Sequence, residues 1–509
     1  MALHEAEQQE SADRQVTGPQ PALRRDIRLS QLFTYSFGFL VGFGWIVLTG
    51  QWISTAGSAG AALAFLMGGL LLVPVGLCYV ELATAFPYPG GEFVYAYHAF
   101  GKGVAFIAGW VLLFLFVSLT AFETVAAAWL VTVLIPPISG PPLYQVLGFE
   151  VTWGMAAIML AGATFITAVN YRGSRVMARA QDFVTWILVL TTLIIIVCGL
   201  SLGQPANLDP LFDSSVDNWP LYGMLAIFIT TPVWYSGINA LPQALSELKS
   251  SPRPRTLSRL VTAMLVGSSI FYVLIIFAVG MSESRETLAS ADFATAFAIG
   301  RVLNSDWAVK LVLGAGLLGI VSTWNAAHFA ASRVLYALSR AHLVSATFSR
   351  VHERNGCPHR AVLFVGAFGL LGASGGIPMI GAIVNSGVIV VSVLFVLTCA
   401  SLFRVRRKLP SATAAYRVPG YPWVPLFGLC YAGCTVVFSL IVTWTSRTSG
   451  QIPAEWFALS IWFVLGLLLW LAAQQRRNAI LETDRARLIR NEIATGAVAT
   501  QPKPAVTAD

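Results

Sequence analysis

Charge is what this sequence lacks. Only 11% of its 509 residues are Asp, Glu, Lys or Arg, where a soluble domain carries about 25%. So few charges cannot coat a soluble chain of this length, which excludes a cytosolic enzyme, a nucleic-acid binder and a disordered scaffold. Cysteine is scarce as well. Cys78, Cys198, Cys357, Cys399, Cys430 and Cys434 lie mostly inside apolar runs, and none forms a C-x-x-C pair. They read as small buried hydrophobes, not as a disulfide framework or a metal site. No secretory signal is visible: residues 1–31 are polar, and the first apolar run is too long for a cleaved core. The chain has no GK[ST] P-loop, HExxH motif or glycosylation sequon. That argues against a primary pump or a metalloprotease, and no metal site, cofactor or enzymatic activity is expected.

Apolar residues are what it has: 56% of the chain, with a mean hydropathy of +0.71. Twelve apolar segments lie near 32–56, 60–86, 103–135, 151–169, 182–202, 221–245, 258–280, 307–332, 361–375, 378–403, 425–446 and 456–473. About 20 apolar residues are enough for one helical crossing of a bilayer. Backbone in lipid must satisfy its own hydrogen bonds, and runs this long exceed barrel strands, so the segments are helices. The expected fold class is an all-α integral membrane protein with twelve transmembrane helices.

The net charge of +8 has a sidedness. All 32 basic residues except Arg285, Arg301, Lys310 and Arg447 fall in the N-tail, the C-tail or the loops on one side, such as Arg172, Arg175 and Arg179, or Arg404, Arg406, Arg407 and Lys408. The opposite loops carry Asp209, Asp213, Asp217, Glu283 and Glu286. Positive loops stay inside. The expected location is the cell membrane, plasma or inner, with both termini cytoplasmic and the tails 1–28 and 478–509 flexible.

Two segments carry matching interruptions. The first contains Gly42-Phe43-Gly44, and the sixth contains Thr230-Thr231-Pro232 and then Gly237. Paired breaks in corresponding helices of two halves point to a transporter binding site. Five is odd, so the second half inserts upside down relative to the first. The expected organisation is an N-tail 1–31, a first repeat 32–202, a second repeat 221–403, two further helices over 425–473, and a C-tail 474–509. The plain alternative for these glycines and prolines is helix packing.

Several stretches resemble the amino acid–polyamine–organocation (APC) transporter family. Cys78-Tyr79-Val80-Glu81-Leu82-Ala83-Thr84-Ala85-Phe86-Pro87, followed by Gly90-Gly91-Glu92-Phe93-Val94-Tyr95 and Ala99-Phe100-Gly101, is similar to the signature after the family's second helix. Gly237-Ile238-Asn239-Ala240-Leu241-Pro242-Gln243-Ala244, with Glu247 beyond, is similar to the sixth-helix pattern. Ala331 to Arg340 resembles the end of helix eight, and Tyr416-Arg417-Val418-Pro419-Gly420-Tyr421-Pro422 the segment before helix eleven. The resemblance covers roughly residues 30–475. It implies a five-plus-five inverted repeat with broken helices 1 and 6, and a secondary transporter that moves amino acids, polyamines or related small amines by alternating access. Some members are coupled to protons or sodium and others are exchangers.

The first break, Gly42-Phe43-Gly44-Trp45-Ile46, is the leading candidate for substrate binding. Glycine lets the backbone leave helical geometry, and the half-helix that follows offers free N–H groups and a positive dipole end to a carboxylate. The resemblance assigns carboxylate binding to this stretch, but its middle residue in the family is commonly small, where Phe43 stands here. The second break, from Thr230 to Asn239, frees carbonyls that suit an ammonium group. Thr231, Trp234, Tyr235, Gly237 and Asn239 are candidates there, with Trp234 and Tyr235 as cation–π walls or a gate. Asn239 stands where many relatives have an acid. Glu247, nearer the end of its segment, reads as structural.

Glu123 is the one acid near the middle of an expected span. An intramembrane carboxyl group defaults to a functional hypothesis. It either pairs with a cationic group of the substrate or carries a proton in one transport state, since burial disfavours the charged form; a structural hydrogen bond is the plain alternative. Coupling to H+ or Na+ is otherwise weakly marked. Proton-coupled relatives and exchangers often carry a lysine in helix five, whereas Gln181-Asp182-Phe183-Val184-Thr185 has none. Ser322 and Thr323 are the candidate sodium hydroxyls, although such hydroxyls usually bond back to their own helix. His328 reads as a packed histidine. Gly314-Ala315-Gly316-Leu317-Leu318-Gly319 spells a dinucleotide motif but lies inside an apolar helix, so packing explains it. The expected partners are an amino acid or small-amine solute and membrane lipid, with no nucleic acid. Rival readings are a polyamine or alkanolamine carrier, and a channel or solute sensor on the same scaffold.

Overall fold

The computed structural model describes residues 23–213, 219, 221–411, 415–445 and 453–490. Helices dominate it. The first apolar segment forms α1 (Leu29–Val41) and α2 (Gly44–Ala56), bent by 42° at their junction. Then come α3 (Ser58–Ala85), the short α4 (Glu92–Phe100), α5 (Lys102–Leu134), α6 (Trp153–Tyr171) and α7 (Ser174–Leu202). The sixth segment forms α8 (Leu221–Trp234) and α9 (Gly237–Leu245). It is followed by α10 (Pro254–Ser282), the short α11 (Arg285–Ser290) and α12 (Ala294–Val302), and α13 (Asp306–Arg340). The chain continues with α14 (His359–Ala373), α15 (Met379–Lys408), α16 (Trp423–Thr445), α17 (Ala454–Ala472), α18 (Gln474–Ala479) and α19 (Glu482–Arg490). Between α5 and α6, β1 (Pro142–Val146) and β2 (Phe149–Thr152) pair as an antiparallel hairpin.

Among the described residues, nine helices and the α8–α9 pair taken as one (Leu221–Leu245) are long and apolar enough to cross a membrane, ten spans in all, and eleven when α1 and α2 also count as one. The remaining expected span, α14, is apolar but has only 15 residues. The all-α membrane architecture therefore holds. The surface agrees with it. On α7, Phe183, Trp186, Leu190, Ile194 and Val197 recur every three or four residues and are all at least half exposed. A monomeric soluble protein does not leave such a stripe in water; lipid covers it at no cost. α17 repeats the pattern with Phe457, Ile461, Val464, Leu468 and Leu471.

The core runs the other way. α5 packs against α13, α14, α15, α4 and α6, and most of its residues from Ala105 to Leu130 are buried. α13 is buried almost continuously from Ser322 to Ser339. Gly319 of α13 touches the α1–α2 junction: a Cβ there would strike the Gly42 carbonyl oxygen, and one on Gly316 would come within 2.6 Å of Ile46. The apparent dinucleotide motif is thus a packing face.

The expected flexible tails are ordered where the structure describes them, by backbone pairing at the first and by a buried guanidinium at the second. Ile27 bridges Leu248 in parallel, with Ile27 N–H donating to Glu247 C=O at 3.0 Å and Lys249 N–H to Ile27 C=O at 2.9 Å. At the other terminus, Arg485 of α19 is fully buried, and its guanidinium donates to the carbonyls of Ala341 and Arg477 and to Glu482. Expectations for 1–22 and 491–509 lie outside the described residues.

Candidate functional site

The α1–α2 junction follows from one glycine. Gly42 adopts φ +31°, which L side chains rarely take, so the helical ladder stops after Gly42 N–H donates to Gly38 C=O. α2 then restarts at Gly44. The Phe43, Gly44 and Trp45 N–H groups have no acceptor among the described residues, while Ile46 N–H donates to Phe43 C=O and the Trp45 indole N–H to Gly42 C=O, each at 3.0 Å. Three unpaired donors at a helix N-terminus favour a negative ligand.

The second junction forms without glycine at its centre. Pro232 supplies no N–H, and Tyr235 N–H shares the Thr231 and Pro232 carbonyls at 3.3 Å. α9 restarts at Gly237, and no N–H reaches the Trp234 carbonyl among the described residues. One break thus offers donors and the other an acceptor.

Between them lies a small cavity, with about 40 Å³ open to the centres of water molecules. Gly42, Phe43 and Gly44 line it from the first break, Trp234 and Ser236 from the second, and Thr323 from α13. Among the described residues lining it, Glu123 brings the one carboxyl group, and none is basic. Glu123 is 2% exposed, accepts no hydrogen bond among the described residues, and has a buried, unpartnered Oε2. The Trp234 indole N–H and the Thr323 hydroxyl are likewise buried and unpartnered. The indole lies across the start of α2, so that a Cβ on Gly44 would come within 2.9 Å of Trp234 Cη2 and 3.1 Å of Cε3.

The other candidates lie off this wall, and their contacts say why. Trp45 is fully buried, turned back onto Gly42. Ile46 packs toward Gly316. The Thr231 hydroxyl bonds back to Phe228 C=O at 2.7 Å. The Tyr235 hydroxyl donates to Phe65 C=O at 2.8 Å and also meets Ser269. Gly237 lets α9 approach α1, where a Cβ would sit 2.6 Å from Ser36 C=O. Asn239 holds Tyr79 and Glu92. The Ser322 hydroxyl accepts from Gln181 Nε2 at 2.7 Å, so an N–H donor points where a cation would sit. Glu247 forms a fully buried ion pair with Arg333 at 2.7 Å, and His328 Nε2 lies 3.1 Å from Val362 C=O.

The sequence reading omitted several wall residues. Leu115, Ser118, Leu119 and Phe122 share the face of α5 that carries Glu123. Their spacing of three and four residues is a helical stripe readable outward from the acid. Tyr272 on α10 and Ile383, Val384 and Gly387 on α15 also line the cavity, and no local pattern marks them.

A multi-pass helical protein whose central cavity joins two helix breaks, unpaired backbone groups and a lone carboxyl group is a membrane transporter in architecture. Its sequence matches the family described as amino acid permease over residues 27–468, and the chain belongs to that family. It is similar to the methylthioribose transporter of Bacillus subtilis (strain 168), 23% identical with 90% of this chain and 95% of that protein covered. Branched-chain amino acid permease BcaP of the same organism is 22% identical, covering 91% of this chain and 96% of that one. The chloroplastic cationic amino acid transporter 7 of Arabidopsis thaliana is 25% identical, covering 88% and 74%.

Proposed function

We propose that this chain is a secondary transporter that moves an amino acid or related small amine by alternating access, performing no chemistry on it. One observation carries the reading: the two breaks and the unpartnered Glu123 face a single cavity. A carboxylate takes the N–H groups of Phe43, Gly44 and Trp45, an ammonium group takes the Trp234 carbonyl, and the apolar walls take the rest. The names of the amino acid permease relatives support the solute class.

The proposed organisation is twelve spans, with inverted repeats over 32–202 and 221–403 and two further helices over 425–473. Both termini face the cytoplasm of the cell membrane, because the basic residues collect on their side. Glu123 carries the coupling proton. Sodium at Ser322 and Thr323 is the weaker alternative, given the Gln181 donor on Ser322. A non-carboxylate amine is the second reading, favoured by Phe43: a large ring occupies the wall where a carboxylate would enter, and it packs toward Phe293 with centroids 6.4 Å apart.

The test is binding followed by flux. A thermal-shift screen of purified protein against amino acids and amines finds the ligand, since one at a hundred times its Kd stabilises the folded state by about 2.7 kcal/mol. Saturable, trans-stimulated uptake of that ligand into proteoliposomes is then expected. Unsaturable flux would identify a channel, and binding without flux a sensor.

A further inference from the structure

We propose that Glu92 is a proton-binding site on the basic face, and that its proton holds α9 against the loop before α4. The inference rests on the alternating-access reading above, in which this face is cytoplasmic. Glu92 opens α4 and is 1% exposed. Its Oε1 accepts from the Tyr79 hydroxyl and from Asn239 Nδ2, both at 2.7 Å. Among the described residues its Oε2 has no partner, and neither do the Asn239 Oδ1 or the Tyr95 hydroxyl.

No cation among the described residues is available to this carboxyl group. On α15, Arg406 is committed to Glu81 of α3 in a bidentate pair, Lys408 donates to Ala99 C=O, and Arg404 lies over the Phe100 ring. Lys102 of α5 pairs with Glu482 of α19. On α4 itself His98 stacks on Phe86, and the Tyr97 hydroxyl donates to Glu482. The Cys78 and Cys399 thiols of α3 and α15 face each other, and α9 carries no ionisable side chain. A carboxylate here would be a buried charge with no counter-charge, whereas a carboxylic acid would not. Burial pushes the Glu92 carboxyl up to about 7, against the opposing pull of the Tyr79 and Asn239 hydrogen bonds. The Asn239 amide serves both forms. As placed, its N–H donates to Oε1; turned over, it brings the unpartnered Oδ1 to receive the acid's O–H.

The site is mechanically connected to the cavity. Asn239 and Gln243 lie one turn apart on α9, and Gln243 Oε1 accepts the Gly90 N–H at 3.0 Å. Gly90 and Gly91 have φ of +110° and +47°, and a Cβ on Gly91 would come within 2.6 Å of Gln243 Nε2. The loop therefore grips one face of the half-helix that begins where Trp234 and Ser236 line the cavity. Moving α9 to open the cavity toward the basic face strips Asn239 from Glu92 and admits water. The carboxyl then returns to its ordinary range and releases its proton to that side. By linkage, closure takes up one proton, and alkaline cytoplasm favours the open form.

The experiment reads opening directly. A cysteine at Ser246, beside the end of α9, is introduced into protein whose six natural cysteines are replaced, reconstituted in nanodiscs without substrate. Its maleimide labelling rate is followed from pH about 5 to about 9 and divided by that of a cysteine at exposed Leu147, which removes the thiol's own titration. A severalfold rise with pH is expected, flat in Glu92→Gln and shifted to higher pH in Tyr79→Phe, which removes a donor to the charged form. A pH dependence that survives Glu92→Gln, or none in the parent, overturns the proposal. If Glu92→Gln does not fold, an unshifted midpoint in Tyr79→Phe overturns it instead. No transport enters this readout, so a titrating inner mouth with no solute uptake would refute the transporter reading alone.

Discussion

Gly44→Ala is the smallest change that tests the cavity. It adds one methyl group where the Trp234 ring already lies within van der Waals distance, 2.9 Å from Cη2 and 3.1 Å from Cε3. Neither neighbour yields freely: Gly44 is buried at the start of α2, and the indole packs edge-on against Trp52 with centroids 5.5 Å apart. Overpacking of this kind costs about 1–3 kcal/mol. If the ring relieves it by moving into the cavity, that energy comes out of ligand binding, about 5- to 150-fold in Kd. The assay is titration of the ligand found by thermal shift, with the melting temperature of the ligand-free variant as the folding control. Trp234→Ala lowers affinity alone by removing a wall. In combination with Gly44→Ala it leaves the new methyl nothing to strike, so the second loss disappears and the pair is non-additive. Unchanged affinity in folded Gly44→Ala, or simple additivity in the double variant, refutes binding between the two breaks.

Glu123→Gln keeps the shape and removes the titration. For a proton carrier, exchange survives in proteoliposomes and pH-driven net uptake vanishes; for a partner of a substrate cation, both fall together, with about 3–5 kcal/mol lost from binding. Arg333→Met leaves Glu247 as an unpaired buried charge and lowers thermal stability by about 3–5 kcal/mol, with Glu247→Gln in the same chain recovering part of it; an unaltered melting temperature counts against the pair as a fixed strut. Cysteine probes at Asp209 and Leu211 label from outside intact cells and probes at Arg404 and Lys408 only after permeabilisation, and the reverse pattern inverts the topology.

Most of the fold was legible because lipid simplifies the code. Length and hydropathy mark a span, and the apolar segments from 60–86 onward each correspond to one helix, except 221–245, which forms α8 and α9; most ends lie within a turn or so of the expected ones, and α13 runs on to Arg340. The departures have local causes. The fourth span starts at Trp153, since residues 142–152 form the hairpin, and the fifth reaches back to Ser174 because a helix continues past the lipid boundary without needing apolar residues. In the described parts of the tails, 23–28 and 478–490, polarity does not mean freedom. Arg485 is polar and fully buried, since three carbonyl and carboxylate acceptors meet it. A sequence shows the donor but not the acceptors.

The candidate site was half legible for the same reason. Gly42 and Glu123 announce themselves, one by conformational freedom and one by its depth in an apolar run. Partnership does not announce itself. The described residues include six buried acids: Glu81, Glu92, Glu123, Asp213, Glu247 and Glu455. Glu81, Asp213 and Glu247 meet Arg406, Arg285 and Arg333, and Glu455 receives the Asn385 amide. Only folding sorts these from Glu92, held by a phenol and an amide, and Glu123, held by nothing. The place where a coupling cation was sought holds a neutral relay: Gln181 donates to Ser322, Asn325 to Gln181 at 2.8 Å, and Asn170 to Asn325 at 3.1 Å. Amides both donate and accept, so this chain joins α6, α7 and α13 with no net charge, and it leaves Asn170 Oδ1 and the Thr323 hydroxyl buried and unpartnered. Among the six buried acids, Glu92, Glu123 and Glu455 are the ones no cation pairs with, and of these Glu123 stands on the cavity wall and Glu92 beside the half-helix that begins there.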